Sequence, residues 1–257
     1  MEFDFIDIGC SKGGSLAWAM AQFGGKGLGI DLSERKVEAT RAAGYQAILA
    51  DAAALDMPNG AVRFATLSDV LEHMPDGEAA ERCVTEAYRV SRDFVLIRGP
   101  NFDREEELRR LSLKRYYADW RGHSWHHVTA DLLRLAQHAG AARTLLIPHG
   151  RIRGSEDPDI LPIGAPRDQG RYDAGLHGPK PMLTFERKFH SRITMVLGKS
   201  PAVNLDAIAL KAVSDRVTDF ALGEGPPPAD SYSPPWRAPR QSAEPAGFVR
   251  HRAVQRI

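Results

Sequence analysis

A doubly wound α/β domain on a mostly parallel sheet is the fold class that the sequence predicts, on three observations. The chain begins with an apolar strand over residues 3–8, which runs into a glycine-rich turn and then a helix. Three more apolar stretches follow at helix-sized intervals, the first two ending in an acid and the third in a polar Ser-Asp step. With 257 residues, of which 43% are hydrophobic and 26% charged, the chain can bury a full core and has the make-up of a soluble protein.

The first turn is Gly9-Cys10-Ser11-Lys12-Gly13-Gly14, and Ser15 to Ala21 begins the helix. Glycine permits positive φ and a close backbone approach to a ligand. The free N–H groups of the helix start point at whatever occupies the turn. The second strand, 27–31, ends in Asp31, which lies 22 residues after Gly9. That spacing suits a carboxylate accepting from a ribose diol, so a ribose-bearing cofactor is implied. A third strand over 45–52 contains Asp51 and Ala52, and a fourth from Arg63 passes through Ser68, Val70 and Glu72 to His73. Glu72 reads as a first-turn acid that complements a helix dipole.

Four segments, Asp7-Ile8-Gly9-Cys10-Ser11-Lys12-Gly13, Gly29-Ile30-Asp31-Leu32-Ser33, Ala50-Asp51-Ala52 and Val70-Leu71-Glu72-His73, carry a family resemblance by their order and spacing. Together with Tyr88-Arg89-Val90 and the 129–140 segment, the chain resembles class I S-adenosylmethionine-dependent methyltransferases, most nearly their ubiquinone-biosynthesis-like branch. The resemblance covers roughly residues 3–147, and more loosely the strand near 193–198. It implies a seven-stranded Rossmann-like sheet of order 3-2-1-4-5-7-6 with an antiparallel last strand, and S-adenosyl-L-methionine as cofactor. It further implies that Gly9, Ser11 and Gly13 surround the methionine moiety with Asp7 just below. Asp31, followed by Leu32, would meet the ribose, Asp51 and Ala52 the adenine, and Ser68 and Val70 the sulfonium side. Cys10 falls inside this cofactor set, though its thiol reads as a packing group rather than a nucleophile. Two departures stand out: Ser11 where the family usually has glycine, and Ala65 where it usually has aspartate.

Beyond residue 100 the sequence predicts a charged helix over 104–117, then an aromatic and histidine-rich loop over 119–127. Thr129 is expected to cap a helix over 130–138 that Gly140 terminates. A strand over 144–147 precedes an irregular stretch over 150–186, read as a lid or substrate loop, and a final strand over 193–197. Residues 205–222 have the spacing of an amphipathic helix. The domain is therefore expected to span 1–222. From Glu224 seven prolines fall in 34 residues, so 223–257 reads as a disordered tail.

Methyl transfer from a sulfonium to a hydroxyl benefits from a base, and histidine is the natural one near neutrality. His123, His126, His127 and His73 are the candidates. No carboxylate or cysteine set matches the three loop histidines, so no metal site is expected. Cys10 and Cys83 lack metal spacing, no apolar run is long enough to span a membrane, and no signal-peptide layout opens the chain, so a cytoplasmic location is expected.

Net charge is +1, but residues 1–99 carry 10 basic and 15 acidic side chains and the remainder 24 and 18. That asymmetry fits an anionic group on a small-molecule or glycan acceptor. It provides no dense basic run for nucleic acid. A homo-oligomer is compatible with the 205–222 helix. The leading expectation is O-methylation. A non-catalytic methyltransferase-like binding module is the alternative, motivated by Ser11, Ala65 and the tail. An NAD(P)-dependent oxidoreductase ranks behind both, because it leaves the Val70–His73 segment unexplained.

Overall fold

The computed structural model describes residues 2–214. The order of elements is β1 (Phe5–Ile8), α1 (Gly14–Phe23), β2 (Gly27–Asp31), α2 (Glu34–Ala42), β3 (Ala47–Leu49), β4 (Val62–Ser68), α3 (Gly77–Val90), β5 (Ser91–Pro100), α4 (Glu105–Arg110), β6 (Leu113–Arg115), α5 (Thr129–His138), β7 (Arg143–Gly154), β8 (Ile160–Pro162), α6 (Ala174–His177), β9 (Thr184–Gly198) and α7 (Leu205–Ser214). Two single turns of 3-10 helix, Leu71–His73 and Tyr116–Asp119, lie after β4 and β6.

Seven strands form one sheet in the order β3-β2-β1-β4-β5-β9-β7. β1 to β5 run parallel, and β9 runs antiparallel to both of its neighbours. Two hairpin strands numbered late in the chain thus occupy the places expected of the last two, as the expected order requires. Helices cover both faces, which is why β1 and β2 are buried at every residue rather than alternating. On one face Phe5, Phe64 and Phe94 occupy matched positions on β1, β4 and β5 and stack at 4.6 and 4.8 Å. Leu205, Ala209 and Ala212 of α7 pack on that face. On the other face α3 and α5 cover Ile6, Ile8, Leu67 and Val95. Connections leave β1 and β4 toward opposite edges of the sheet, so a crevice opens between their carboxyl ends.

Several expected elements have different bounds. The predicted 104–117 helix stops at Arg110. Ser112 adopts a left-handed φ of 58°, and Leu113–Arg115 pairs with β8 instead. Leu113 and Ile160 then join Leu108, Ile152 and Phe189 in a satellite core, so a tertiary contact outweighs helix propensity. The 150–186 stretch is also less irregular than expected. β7 continues to Gly154 and β9 starts at Thr184, so the two strands extend past the sheet as paired arms. The third strand is short, and Thr129 is the first helical residue rather than the cap. Val128 holds the cap position, and its N–H donates to Asp131 Oδ2 at 3.0 Å. Of the predicted 205–222 helix, residues to Ser214 are helical; 215–222 and the 223–257 segment lie outside the described residues. Among the described residues no helix is long and apolar enough to cross a membrane.

Candidate active site

The glycine turn is built from the backbone outward. Gly9, Ser11 and Gly13 take φ values of 73°, 50° and 88°. A Cβ on Gly9 would lie 2.5 Å from Val70 Cγ2, so the turn and the end of β4 are in direct contact. Thr40 of α2 donates its hydroxyl to the Ser11 carbonyl at 2.8 Å and pins the turn from behind. The first turn of α1 has no side-chain cap, which leaves its N–H groups for a ligand or water.

Asp7 is fully buried below the turn. Its carboxylate accepts from Ser15 Oγ at 2.5 Å and Thr66 Oγ1 at 2.7 Å. Burial pushes its pKa up to about 6, with the two hydroxyl bonds opposing the rise. Asp7 therefore ties α1 to the sheet and supports the turn from beneath. Asp31, at the end of β2, accepts from the Ser11 and Ser33 amides at 3.1 and 2.9 Å. Its two oxygens retain lone pairs for further donors. Leu32, half-buried, follows it at the crevice rim. The Cys10 side chain is buried against Gly29 and reaches Thr40 Oγ1 at 3.6 Å, and burial pushes the thiol up to about 11. It packs under the turn.

Across the crevice, Ser68 Oγ is buried with no hydrogen-bond partner among the described residues. Such a hydroxyl is costly to bury unless something pairs with it. Ala52 packs partly against the core, whereas Asp51 is exposed and accepts from the Ala53 amide at 2.9 Å. Ala65 lies in mid-strand, paired with Ile6 and Val95 in the core, so this departure falls below the carboxyl edge. Ser11 is the departure that touches the site. A β-carbon at its left-handed φ costs about 1–2 kcal/mol. Ser11→Gly is therefore expected to raise the melting temperature by about 2–4 °C, read by calorimetric melting, after glycine's own entropy offsets part of the gain.

The four candidate histidines form two groups. His73 and His123 meet with ring centroids 5.1 Å apart. The Nδ1 of each lies on a backbone carbonyl, Gly122 O at 2.8 Å and Tyr117 O at 2.9 Å. Burial depresses both imidazoles, His123 to about 3. His126 and His127 instead flank Phe102, one stacked at 4.4 Å and the other edge-on at 5.4 Å. His126 Nδ1 lies 2.9 Å from Glu105 Oε2. His127 is buried, and burial lowers it to about 4. A cleft of about 490 Å³ is lined by Trp120, His123, Ser124 and His126, with Arg109 and Arg167 at its margin.

Glu72 is the residue whose place the sequence obscured. Rather than a surface acid at a helix start, it is 1% exposed in the turn after β4. Burial and the neighbouring Asp69 carboxylate push its carboxyl well above the usual range. Asp69 itself pairs with Arg192 of β9 through both guanidinium nitrogens, at 2.7 and 3.1 Å. No local signal marked Arg192, which lies 123 residues away in sequence.

Residues 6–94 match a family model described as a methyltransferase domain. Among solved structures, the fold is similar to a SAM-dependent methyltransferase from Archaeoglobus fulgidus, at 14% identity and a TM-score of 0.54, over 76% of this chain and 85% of that one. It is also similar to a SAM-dependent methyltransferase from Thermotoga maritima described as a possible histamine N-methyltransferase. That match has 16% identity and a TM-score of 0.50, over 78% of this chain and 84% of that one. No curated protein sequence matches significantly. S-adenosylmethionine is the cofactor that the domain match supports. Residues 6–94 are thus similar to a methyltransferase domain, and they lie in a Rossmann-like sheet of the order β3-β2-β1-β4-β5-β9-β7.

Proposed function

We propose that the chain methylates a hydroxyl of a small-molecule or glycan acceptor, with S-adenosylmethionine held over the carboxyl ends of β1, β2 and β4. The observation that carries this reading is the meeting, at one crevice, of the positive-φ glycine turn, Asp31 and the orphaned Ser68 hydroxyl, beside a histidine-lined cleft. Gly9, Ser11 and Gly13 would contact the methionine moiety, Asp31 the ribose, and Asp51 and Ala52 the adenine. Val70 would bound the sulfonium side.

Bound there, S-adenosylmethionine would supply the methyl group to the acceptor oxygen, the S–CH3 bond being exchanged for an O–CH3 bond, with neutral S-adenosylhomocysteine as the leaving group. Alignment and exclusion of water carry much of the acceleration. Of the four histidines, His126 is the best placed to take the acceptor proton. Glu105 Oε2 lies 2.9 Å from its Nδ1 and fixes the ring, and His126 lines the cleft. His123 is a poor base, because burial lowers its pKa to about 3 and leaves little affinity for a proton at neutral pH. Arg109 and Arg167 line the cleft together with Asp119, which pairs with Arg109 at 3.4 Å, so Arg167 is the cation that would favour an acceptor with an anionic group. The ubiquinone-biosynthesis-like branch, the extent of the domain to residue 222 and a cytoplasmic location belong to the same proposal. The two cysteines, both free and buried, agree with the last.

Calorimetric titration with S-adenosylmethionine and S-adenosylhomocysteine tests this reading. Asp31→Ala should weaken both by about 10- to 100-fold, the range for losing charge-assisted hydrogen bonds. Unchanged affinity would remove Asp31 from the ribose site. A folded wild-type chain that binds neither ligand would transfer the argument to a non-catalytic binding module.

A further inference from the structure

The fold brings a carboxylate beside His123 from a different element. One ligand atom from each of Glu72, His73 and His123 lies within 4.8 Å of the others. Glu72 and His73 come from the turn after β4, and His123 arrives from the loop before α5, 50 residues further on. We propose that these three side chains hold a divalent transition-metal ion of the zinc type at the acceptor side of the crevice.

Three features carry the proposal. The donor set is two imidazoles and one carboxylate, which suits zinc and its first-row neighbours and leaves a coordination position open. Both histidines place Nδ1 on a main-chain carbonyl. A carbonyl only accepts, so each Nδ1 bears the proton and each Nε2 presents its lone pair. Backbone carbonyls that orient ligating histidines in this way are a recurrent outer shell of metal sites. The Glu72 Oε2 atom is buried and has no hydrogen-bond partner among the described residues, in a side chain that is 1% exposed. An unpaired carboxylate oxygen is among the costliest groups to bury, and a cation beside it would offset that cost.

Ligands on a zinc ion at about 2.1 Å are roughly 3.4 Å apart, so binding requires the cluster to contract. Such movement falls on His123, which belongs to a loop, rather than on Glu72 in the core. The open position would face the cleft that His123 lines, where an acceptor oxygen could bind.

The test uses the full chain without an affinity tag, stripped with chelator and titrated with Zn2+ by calorimetry and with Co2+ by visible absorption. The expected result is one ion per chain, with a Co2+ spectrum of low coordination number. Glu72→Gln and His123→Asn should each weaken binding by more than about 100-fold, the upper range for losing an outer-shell partner. His138→Asn, which alters an exposed histidine paired with Glu81, should leave binding unchanged. Circular dichroism shows that each variant is folded, and His123→Asn decides if Glu72→Gln does not fold. Absence of stoichiometric uptake by the wild type, or equal uptake by His123→Asn, would overturn the proposal. S-adenosylmethionine affinity is measured separately, so failure of the metal site leaves the methyltransferase reading in place.

Discussion

Replacing Gly9 with alanine should lower the melting temperature by on the order of 10 °C and remove measurable S-adenosylmethionine binding. Two costs combine. At φ 73° a β-carbon adds about 1–2 kcal/mol of backbone strain. The new methyl would also fall 2.5 Å from Val70 Cγ2. Valine is short, stiff at χ1 and here buried, so it cannot swing aside, and overpacking adds about 1–3 kcal/mol. For a domain of this size about 1 kcal/mol is worth 2–4 °C. Because Gly9 N–H bonds to Ile30 O at 2.7 Å, the displacement would propagate to the end of β2, where Asp31 lies. The double variant Gly9→Ala/Val70→Ala separates the two costs. It should recover part of the binding, because the clash is gone while the strain persists. Wild-type affinity in the single variant would show that the turn does not shape the cofactor site.

Acidification between pH 6.5 and 4 should destabilise the protein strongly. His123, His127 and His149 are lowered by burial to about 3, 4 and 4. In the unfolded chain each titrates near 6.5, so below that pH the unfolded state binds more protons and stability rises with pH. The stabilisation is complete above about 6.5 and is lost as pH falls toward the folded values. For His127, which is 3% exposed, the loss by pH 5 is about 2 kcal/mol. Asp7 and Glu72 act in the opposite direction, because their raised pKa values make the folded state the better proton acceptor as pH falls. Two carboxyls stand against these three histidines and His73, which burial also lowers, so the net effect keeps the histidine sign. Thermal melts in chelator from pH 7.5 to 5 check this. His127→Leu should flatten the slope; an unaltered slope would mean that His127 is not buried neutral.

The two predictions probe parts of the molecule that differ in how far the sequence revealed them. The glycine turn was legible because its signal is local: a positive-φ requirement writes glycine into a fixed place, and a strand before it and a helix after it need only a few residues each. Asp31 was legible for a related reason, since one βα unit has nearly constant length and sets the distance from turn to acid. The helix over 104–117 was misread where Leu108, Leu111 and Leu113 mimic a helical face. Leu113 belongs to β6 because β8 runs alongside, with Pro162 across from it and Ile160 in the same small core, and no local pattern shows that partner. The arms of β7 and β9 were missed likewise, their charged residues reading as loop until each strand is paired with the other.

By itself the sequence determined the parallel α/β half, the turn, and the acids at the carboxyl ends of its strands, because backbone stereochemistry and strand–helix periodicity act over short separations. Only the tertiary structure decided what Glu72 is. In sequence it is one acid before a histidine; in the fold it is a buried carboxylate facing His73 and a histidine brought from 50 residues away. The physical reason is that burial and charge environment belong to the space around a side chain. That space is filled by elements whose order along the chain does not announce that they will meet.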